Sequence, residues 1–468
     1  MRLAVFGFAL LVPVAASAND LVKAYELAVN NDPTYLAAQH ARDYNAAVKP
    51  IALSALLPQL NGAYRPGRDH FEYTPNEPIT STDCGNLGQP SCPTTLTSTT
   101  RPYTVSLTLT QSIFDWTAIE TYRQAGDAAA LAEVSFEAAK QNLLLRVAQA
   151  YFNVLGSADS LRASRAEHNA VERQLEQARR RFDVGLSAIT DVQEAQARFD
   201  LTTATSIEAE RVFRSAREAL AEITGGKSIG LSSVHEDIGL PGPDPQNADK
   251  WTDVALHENL DLAAARLNTA MADKGIGIAY GGYLPTVNIQ GQGTDGRLSG
   301  VNEGYYEDRT YTLNVTMPIF NGLNTWNSVD RAQSLHKQRE AEELGTRRHV
   351  EHLTRDSYDA VLSGASRVKA LKQAVLSNTT ALQASEVGLQ VGARTNVDVL
   401  NAQQLLYAAQ RDYATSRYNY LVSVLALKNA AGRLTEKDLD EIDRLLVSCD
   451  TSAQANNDDG ICSAGKDL

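Results

Sequence analysis

Two short segments of the chain alternate strictly between apolar and polar residues. In residues 103–110 an aromatic or aliphatic residue alternates with threonine or serine, and residues 311–317 repeat the pattern with asparagine as a further polar residue. Alternation with a period of two predicts a β-strand that has one apolar and one wettable face. The segments that begin at Leu57 and Leu284 are predicted as weaker partner strands.

The stretches between these predicted partners differ in composition from the strands. Residues 66–102 and 295–308 are rich in glycine, proline, threonine and asparagine. Such composition is typical of the long loops outside a membrane barrel, so both stretches are predicted as loops.

Two long tracts of the chain are free of proline. All fifteen prolines lie outside residues 103–240 and before residue 319, and both tracts are rich in Ala, Leu, Gln, Glu and Arg. Because proline breaks helices and these residue types favour them, the tracts predict very long helices. One helix over residues 116–183, with a copy near residues 322–388, would span roughly 100 Å at about 1.5 Å per residue. No compact globular core needs a rod of that length.

The two tracts are copies of one unit, because matching residues recur at a constant spacing. The matches include Tyr151 with Tyr358, Val184-Gly185 with Val391-Gly392, Asp191-Val192 with Asp398-Val399, and Gly225 with Gly432. A tandem duplication predicts a first structural repeat at residues 19–224 and a second at 252–432. Between them lies a predicted linker at 225–251, and residues 433–468 form a C-terminal segment.

The N-terminal residues resemble a secretory signal. Residues 1–18 contain Arg2, an apolar run over residues 3–14 and the small-residue cleavage site Ala16-Ser17-Ala18. The run is too short to cross a hydrocarbon core of about 30 Å. The formal net charge of −13 argues against nucleic acid as a partner.

The four cysteines fall as two local pairs, Cys84 with Cys92 and Cys449 with Cys462. This spacing suits two small disulfide loops in an oxidising compartment. Metal binding is the competing interpretation, but no CxxC motif or nearby histidine supports it.

The alternating strands fit two structures equally well on periodicity alone. One is a soluble sheet with a buried face, and the other is a set of strands in a membrane β-barrel. Four strands cannot close a barrel, because bacterial barrels begin at eight strands and open edges are not tolerated in lipid. A membrane location would therefore require two chains to make eight strands, or three to make twelve.

The chain resembles the TolC family of outer membrane efflux proteins over nearly its whole length. The resemblance rests on ordered motifs in both repeats: residues 56–60 (LLPQL), 109–115 (LTQSIFD), 150–155 (AYFNVL), 181–186 (RFDVGL), 188–193 (AITDVQ) and 391–400 (VGARTNVDVL). It implies an α+β membrane protein in the cell outer membrane. The implied architecture is a trimeric 12-stranded transmembrane β-barrel, four strands per chain, continued by a long α-helical barrel with a mixed equatorial belt.

The resemblance also implies a functional site at two helical hairpin tips. Gly185 and Gly392 would form the tip turns where an adaptor docks, although both also fit simple helix C-caps. Asp398, with Asn401 one turn later, would form an acidic ring at the periplasmic entrance. Three carboxylates brought together there would raise their own pKa and attract cations.

An entrance latch is implied by the same tips. Its residues would be Thr190, Asp191, Leu389 and Arg394. Two positions depart from the family: Asn401 stands where it has a second Asp, and Leu389 stands where it has a Tyr that ties the tip to the position of Asp191. Asp191 and Asp398 also fit as simple helix-start acids, and Arg394 as a solvated arginine.

No catalytic motif is present in the sequence. There is no Gly-rich phosphate loop, nucleophile elbow or HExxH motif, so the chain is predicted to be no enzyme and to need no cofactor or metal. The resemblance implies a passive duct for drugs or secreted proteins, served by a periplasmic adaptor and an inner-membrane ABC or RND-type pump. A periplasmic coiled-coil scaffold with a soluble β-domain is the alternative.

Overall fold

The computed structural model describes residues 20–74, 96–226, 230–234, 239–240, 242–298, 304–446 and 461–462. The chain divides into two compact units. One comprises the described parts of Met1–Arg42, Glu133–Ala265 and Glu342–Leu468, and the other comprises those of Asp43–Ala132 and Arg266–Ala341. The predicted signal at residues 1–18 lies outside the described residues, as do Cys84, Cys92 and Cys449.

Helices form most of the described chain. In order they are α1 Asp20–Asn31, α2 Pro33–Ala46, α3 Val48–Ser54, α4 Trp116–Asp183, α5 Ile189–Thr224, α6 Ala248–Glu258, α7 Leu260–Tyr280, α8 Asn324–Gln390, α9 Asn396–Ala430 and α10 Glu436–Asp443. The prediction of one helix over 116–183 is confirmed at both ends, and its copy lies two residues later than expected. No helix among the described residues combines the length and the apolar content needed to cross a bilayer.

One four-stranded antiparallel sheet contains all the strands that the sequence predicts. Its strands are β1 Gln59–Pro66, β4 Tyr103–Phe114, β6 Thr286–Leu298 and β7 Gly304–Thr316, in the order β1-β4-β6-β7. Both weak partner strands are therefore confirmed. The remaining strands are β2 Asp69–Tyr73, β3 Leu96–Thr100, β5 Leu231–Ser232 and β8 Ile461–Cys462.

The two predicted loops are partly wrong. Residues 66–102 contain the antiparallel pair of β2 and β3, where the Thr-rich β3 has the β-branched residues that a strand favours. Strands β6 and β7 also extend beyond Asp295 and Asp308 into the second predicted loop. The alternation of apolar and polar residues ends there because both faces of the sheet carry polar residues. The backbone hydrogen bonds between β6 and β7 nevertheless continue.

The sheet exposes an apolar face in the single chain. Side chains on this face come from all four strands and include Leu60, Tyr64, Val105, Leu107, Leu109, Ile289, Tyr311, Leu313 and Val315. Tyr311 is 84% exposed and Leu313 65%. The opposite face is polar, and there Asn314 donates a hydrogen bond to Asn288 at 3.2 Å. A soluble sheet would bury its apolar face, so this arrangement favours a lipid-facing one.

The apolar face ends at a group of charged residues. Asp295 and Glu307 lie opposite each other on β6 and β7, and Arg309 pairs with both, at 3.3 Å and 2.7 Å. Arg297 stacks over the Tyr305 ring beyond them. Tyrosine and arginine at the margin of an apolar band are typical of the boundary between hydrocarbon and water.

In the first unit, the long helices pack around a core to which α1 and α10 also contribute buried residues. Tyr151 and Phe152 of α4 are buried and contact each other edge to face, and Phe152 stacks on Tyr418 of α9. The Tyr151 hydroxyl also donates to the Ser232 carbonyl at 3.2 Å. Strand β5 of the linker pairs in parallel with β8 of the C-terminal segment, so the described residues of these two parts are joined by backbone hydrogen bonds.

In the second unit, α4 and α7 approach each other closely beneath the sheet. A Cβ atom at Gly281, just after α7, would lie 2.2 Å from the Thr117 Oγ1 and 3.1 Å from the Thr117 backbone nitrogen. At Gly277, one turn earlier, a Cβ would lie 3.1 Å from Glu120. The missing side chains are what let the two helices come this near.

We expect Gly281→Ala to lower the free energy of unfolding by about 1–3 kcal/mol, because the added methyl group overlaps Thr117. Thermal melting in detergent measures this. The matched control is Gly126→Ala in α4, where a Cβ meets nothing within 4 Å and should be neutral or slightly stabilising. Equal melting temperatures of the two variants would contradict the close approach.

Asp443, at the end of α10, makes the first unit sensitive to pH. The residue is 3% exposed and accepts a hydrogen bond from the Leu21 amide at 3.0 Å. Burial raises the pKa of this carboxyl to about 6, and the nearby Asp20 adds to the rise. Because the folded state binds the proton more tightly than the unfolded one, the contribution stabilises the fold below pH 4 and is lost as the pH rises through 6.

We therefore expect Asp443→Asn to remove one pH-dependent contribution to stability, on the order of 3 kcal/mol between pH 4 and pH 7.5. The amide oxygen can still accept from Leu21. Melting temperatures of the parent and the variant, compared at the two pH values, report the difference. A constant gap between them across the range would show that Asp443 does not titrate with folding.

Candidate functional site at the helical tips

The first tip joins α4 to α5 through a glycine turn. Gly185 has a φ of +77°, a left-handed conformation that residues with side chains rarely adopt. The Leu186 amide donates to the Arg181 carbonyl at 2.8 Å, and the Gly185 amide donates to Phe182 at 2.9 Å. These two bonds satisfy carbonyl groups at the end of α4, which is a standard helix C-cap.

The second tip joins α8 to α9 in the same way. Gly392 also has a φ of +77°, and the Ala393 amide donates to the Gly388 carbonyl at 2.8 Å. A Cβ atom would meet nothing within 4 Å at either Gly185 or Gly392. The glycines are therefore required by the backbone turn alone.

The tips differ in how the next helix begins. At the second tip, the Thr395 Oγ1 accepts from the Asp398 amide at 3.2 Å, and the Asp398 Oδ2 accepts from the Thr395 amide at 2.9 Å. This reciprocal pair is a capping box. At the first tip the corresponding N-cap is Ala188, which has no side-chain cap. Asp191 occupies the position of Asp398, in the first turn of α5.

Local contacts hold the Asp398 carboxylate in its charged form. The hydrogen bonds from Thr395 lower its pKa, and the Arg394 guanidinium, 4.0 Å away, acts in the same direction. Within one chain this effect opposes the rise expected from a ring of neighbouring carboxylates. The pKa of Asp398 in an assembled ring stays a prediction.

The predicted latch residues are not brought together within one chain. The Arg394 ion pair is with Asp398 in its own turn, and among the described residues it makes no bond to Thr190 or Asp191. Thr190 is exposed and Leu389 half-buried. Contacts between the latch residues of neighbouring chains stay a prediction.

Four polar residues that the sequence reasoning missed connect the two tips, and these are Gln174, Arg198, Asn396 and Gln404. Asn396 is buried at the start of α9; it accepts from Gln174 of α4 and donates to the Asp191 carbonyl at 3.4 Å. Arg198 of α5 donates to Asn401 at 3.1 Å and to Gln404 at 2.7 Å. Asn401, predicted only as a neutral ring position, is thus an acceptor for Arg198.

The tips also expose apolar side chains. Val184 is 69% exposed, Leu186 71% and Val391 74%. Exposed aliphatic residues at the ends of two helical hairpins form a surface suited to a partner. No group of acidic, histidine or cysteine residues that could hold a metal occurs in the described part of the chain.

The fold and the site define a class of protein: a chain that gives four strands with an exposed apolar face and two long helical hairpins is a subunit of an outer-membrane channel. The sequence model of the family described as outer membrane efflux protein matches residues 24–226 and 251–433. The chain belongs to this family. The predicted resemblance, fold class and outer-membrane location are confirmed.

Individual relatives agree with this assignment. The chain is 33% identical to the outer membrane protein TolC of Vibrio cholerae over 436 residues, which cover 92% of this chain and 94% of the relative. It is 29% identical to the alkaline protease secretion protein AprF of Pseudomonas aeruginosa over 455 residues, covering 96% and 92%.

A solved structure shows the same fold. The CmeC outer membrane channel of Campylobacter jejuni has a TM-score of 0.73 with this chain, at 19% identity, covering 93% of this chain and 90% of that one. At this identity the likeness concerns the fold alone.

We expect the unequal caps to give the two tips unequal stability. Thr395→Ala should speed amide hydrogen exchange in the first turn of α9 roughly fivefold, because the capping box is lost. Ala188→Thr should slow exchange in the first turn of α5 by a similar factor, since Ala188 already has the extended backbone of an N-cap and Asp191 stands three residues later. Mass spectrometry of exchanged peptides measures both.

The control for this experiment is Ser187→Thr, one residue before the cap position. Because Ser187 already has a hydroxyl, this change adds only the methyl group of threonine and leaves the N-cap position, Ala188, unaltered. If it slows exchange as much as Ala188→Thr, capping is not the cause.

Proposed function

We propose that three copies of the chain form an outer-membrane exit duct that serves both efflux and type I secretion. Three four-stranded sheets would close a twelve-stranded barrel, and the helical hairpins would line the periplasmic passage. The observation that carries the proposal is the exposed apolar face of a sheet whose two outer strands have unpaired edges.

The sheet edges argue for assembly. Strands β1 and β7 stand at the two edges, and no described residue pairs with their outer sides. An unpaired edge leaves backbone N–H and C=O groups without partners, at a cost of several kcal/mol for each group in hydrocarbon. Pairing β1 of one chain with β7 of the next removes both edges, and the resemblance favours three chains over two.

The tips are proposed as the docking site of a periplasmic adaptor protein. Their exposed aliphatic side chains support this, because burying Leu186 and Val391 against a partner would remove apolar surface from water. An inner-membrane pump of the ABC or RND type would supply energy and choose the cargo. The name of the relative AprF concerns protease secretion, and similarity to it supports a secretory role here.

Asp398 is proposed as the acid that gives the entrance its preference for cations. The hydrogen bonds from Thr395 lower the pKa of Asp398 within one chain and so favour its charged form, which supports the role. The nearby Arg394 weakens the field that each Asp398 contributes, so we propose modest selectivity. Asn401 is uncharged, so it is predicted to add no negative charge to this ring.

We expect the purified protein to give small, cation-selective currents in a planar bilayer, blocked by a trivalent cation added from the periplasmic side. Asp398→Asn should weaken both selectivity and block, since it removes the charge while the amide can still accept from Thr395. The matched control is Asp191→Asn, the equivalent acid of the first tip, which should alter block less.

Two results would count against the proposal. Block that survives Asp398→Asn would place the selectivity site elsewhere while leaving the channel standing. A folded protein that conducts no current and stays monomeric and soluble without detergent would favour the periplasmic scaffold.

A further inference from the structure

One end of the four-stranded sheet faces the exterior of the cell. Helix α4 follows β4 and helix α7 precedes β6, so the helices join the sheet at its other end. The chain belongs to an outer-membrane family, and its long helices extend into the periplasm. The strand ends at Pro66, Tyr103, Leu298 and Gly304 therefore lie at the outer leaflet of the membrane.

Arg297 stands between two tyrosines at this outer end. In the strand register it pairs with Tyr103 of β4 on one side and with Tyr305 of β7 on the other. All three lie on the apolar face, because Tyr103 is two residues from Val105 on the same strand. The Arg297 Cζ lies 6.0 Å from the centre of the Tyr305 ring, and the Tyr64 ring lies 6.5 Å from that of Tyr103. One guanidinium is thus set among three tyrosines where the apolar face ends.

The next charged residues lie two positions along the strands, about 7 Å closer to the hydrocarbon. There Asp295 stands opposite Glu307. The Arg309 Nη1 lies 3.3 Å from the Asp295 carboxylate, and its Nη2 lies 2.7 Å from that of Glu307. One guanidinium shared by two acids leaves a negative charge in excess. An anion that approaches from the exterior is repelled by this group and meets its cation at Arg297 instead.

A phosphate group fits the chemistry of Arg297 and its two neighbours. A guanidinium presents a planar fork of donors that binds phosphate oxygens in pairs, and stacking on an aromatic ring holds the plane of that fork. The tyrosine hydroxyls of Tyr103 and Tyr305 are further donors, and tyrosine is suited to the boundary between hydrocarbon and water. Basic residues at such a boundary recognise lipid headgroups.

We propose that Arg297, with Tyr103 and Tyr305, binds the headgroup phosphate of a lipid in the outer leaflet. The acyl chains of this lipid lie along the apolar face, where Leu107 is 54% exposed and Leu109 46%. The two parts of one lipid thus match two adjoining parts of one surface. This inference goes beyond the channel function, because it requires the outer-membrane location and no conduction.

The test is native mass spectrometry of the detergent-solubilised protein after incubation with diphosphorylated lipid A, which counts the lipids that each assembly retains. Arg297→Gln should lower the retained lipid about fivefold, because a charge-assisted contact to the phosphate is lost. Lipid A from which both phosphates have been removed should bind the parent protein as weakly as intact lipid A binds the variant.

The matched control is Arg65→Gln on β1. Arg65 is an exposed arginine near the same end of the sheet, but it pairs with Thr104 and so lies on the polar face. Its substitution removes the same charge from the side that faces away from lipid and should leave lipid retention unchanged. Equal losses in Arg65→Gln and Arg297→Gln would show a general effect of net charge and overturn the proposal, as would full retention in Arg297→Gln.

A second variant keeps the proposal testable if Arg297→Gln does not assemble. Tyr305→Leu keeps every charge and removes the ring over which the guanidinium stacks. It should lower retention of intact lipid A severalfold and leave retention of the dephosphorylated lipid unchanged. Equal changes for the two lipids would place the contact at the acyl chains and overturn the phosphate site.

A chelator of divalent cations separates Arg297 from the neighbouring acids. Retention that persists in the chelator and still falls in Arg297→Gln supports a direct contact between the guanidinium and the phosphate. Retention that the chelator abolishes in the parent protein would place the lipid on a cation held by Asp295 and Glu307, and the proposal would be wrong. Since the measurement needs no current, a protein that retains lipid but does not conduct would leave this proposal standing and count against the channel function.

Discussion

The rest of the structure depends on the backbone hydrogen bonds of the sheet edges. Within the described part of the chain, strands β1 and β7 pair on one side only, and the face that they share with β4 and β6 is apolar and exposed. Water would provide hydrogen-bond partners for the strand edges but would leave the apolar face exposed to solvent. Lipid would cover the apolar face but would leave the backbone groups of the edges without partners. A closed ring of several chains satisfies both, so the assembly follows from the sheet rather than from any special interface residue.

The long helices and the sheet could be predicted because their signals are periodic. The absence of proline located α4, and alternation located β4 and β7. Strands β2 and β3 escaped prediction because glycine and proline around them suggested loops, and each strand has only five residues in which an alternation could be detected. The ends of β6 and β7 were missed because a backbone ladder can continue where the side chains no longer alternate.

The site was predicted less completely than the fold. The glycine turns follow from the sequence because only glycine tolerates a φ of +77° without strain. The contacts of Asn396 and Arg198 do not, because each joins residues some two hundred positions apart and depends on the rotation of one helix against another. The lowered pKa of Asp398 follows from the Thr395 cap, whereas a ring of acids alone suggested the opposite direction.

Duplication gave the chain two hairpins of one design, but their ends differ in how the second helix begins: Thr395 caps α9, whereas Ala188 leaves α5 without a side-chain cap. In a ring of three chains, six tips would alternate between a capped tip of higher local stability and an uncapped tip of lower local stability. A partner made of six identical subunits would therefore contact two kinds of tip in alternation, and its subunits would bind as three pairs. The six tips would be similar in shape, which approaches sixfold symmetry, but their two kinds of cap would leave the ring with the threefold symmetry of its chains.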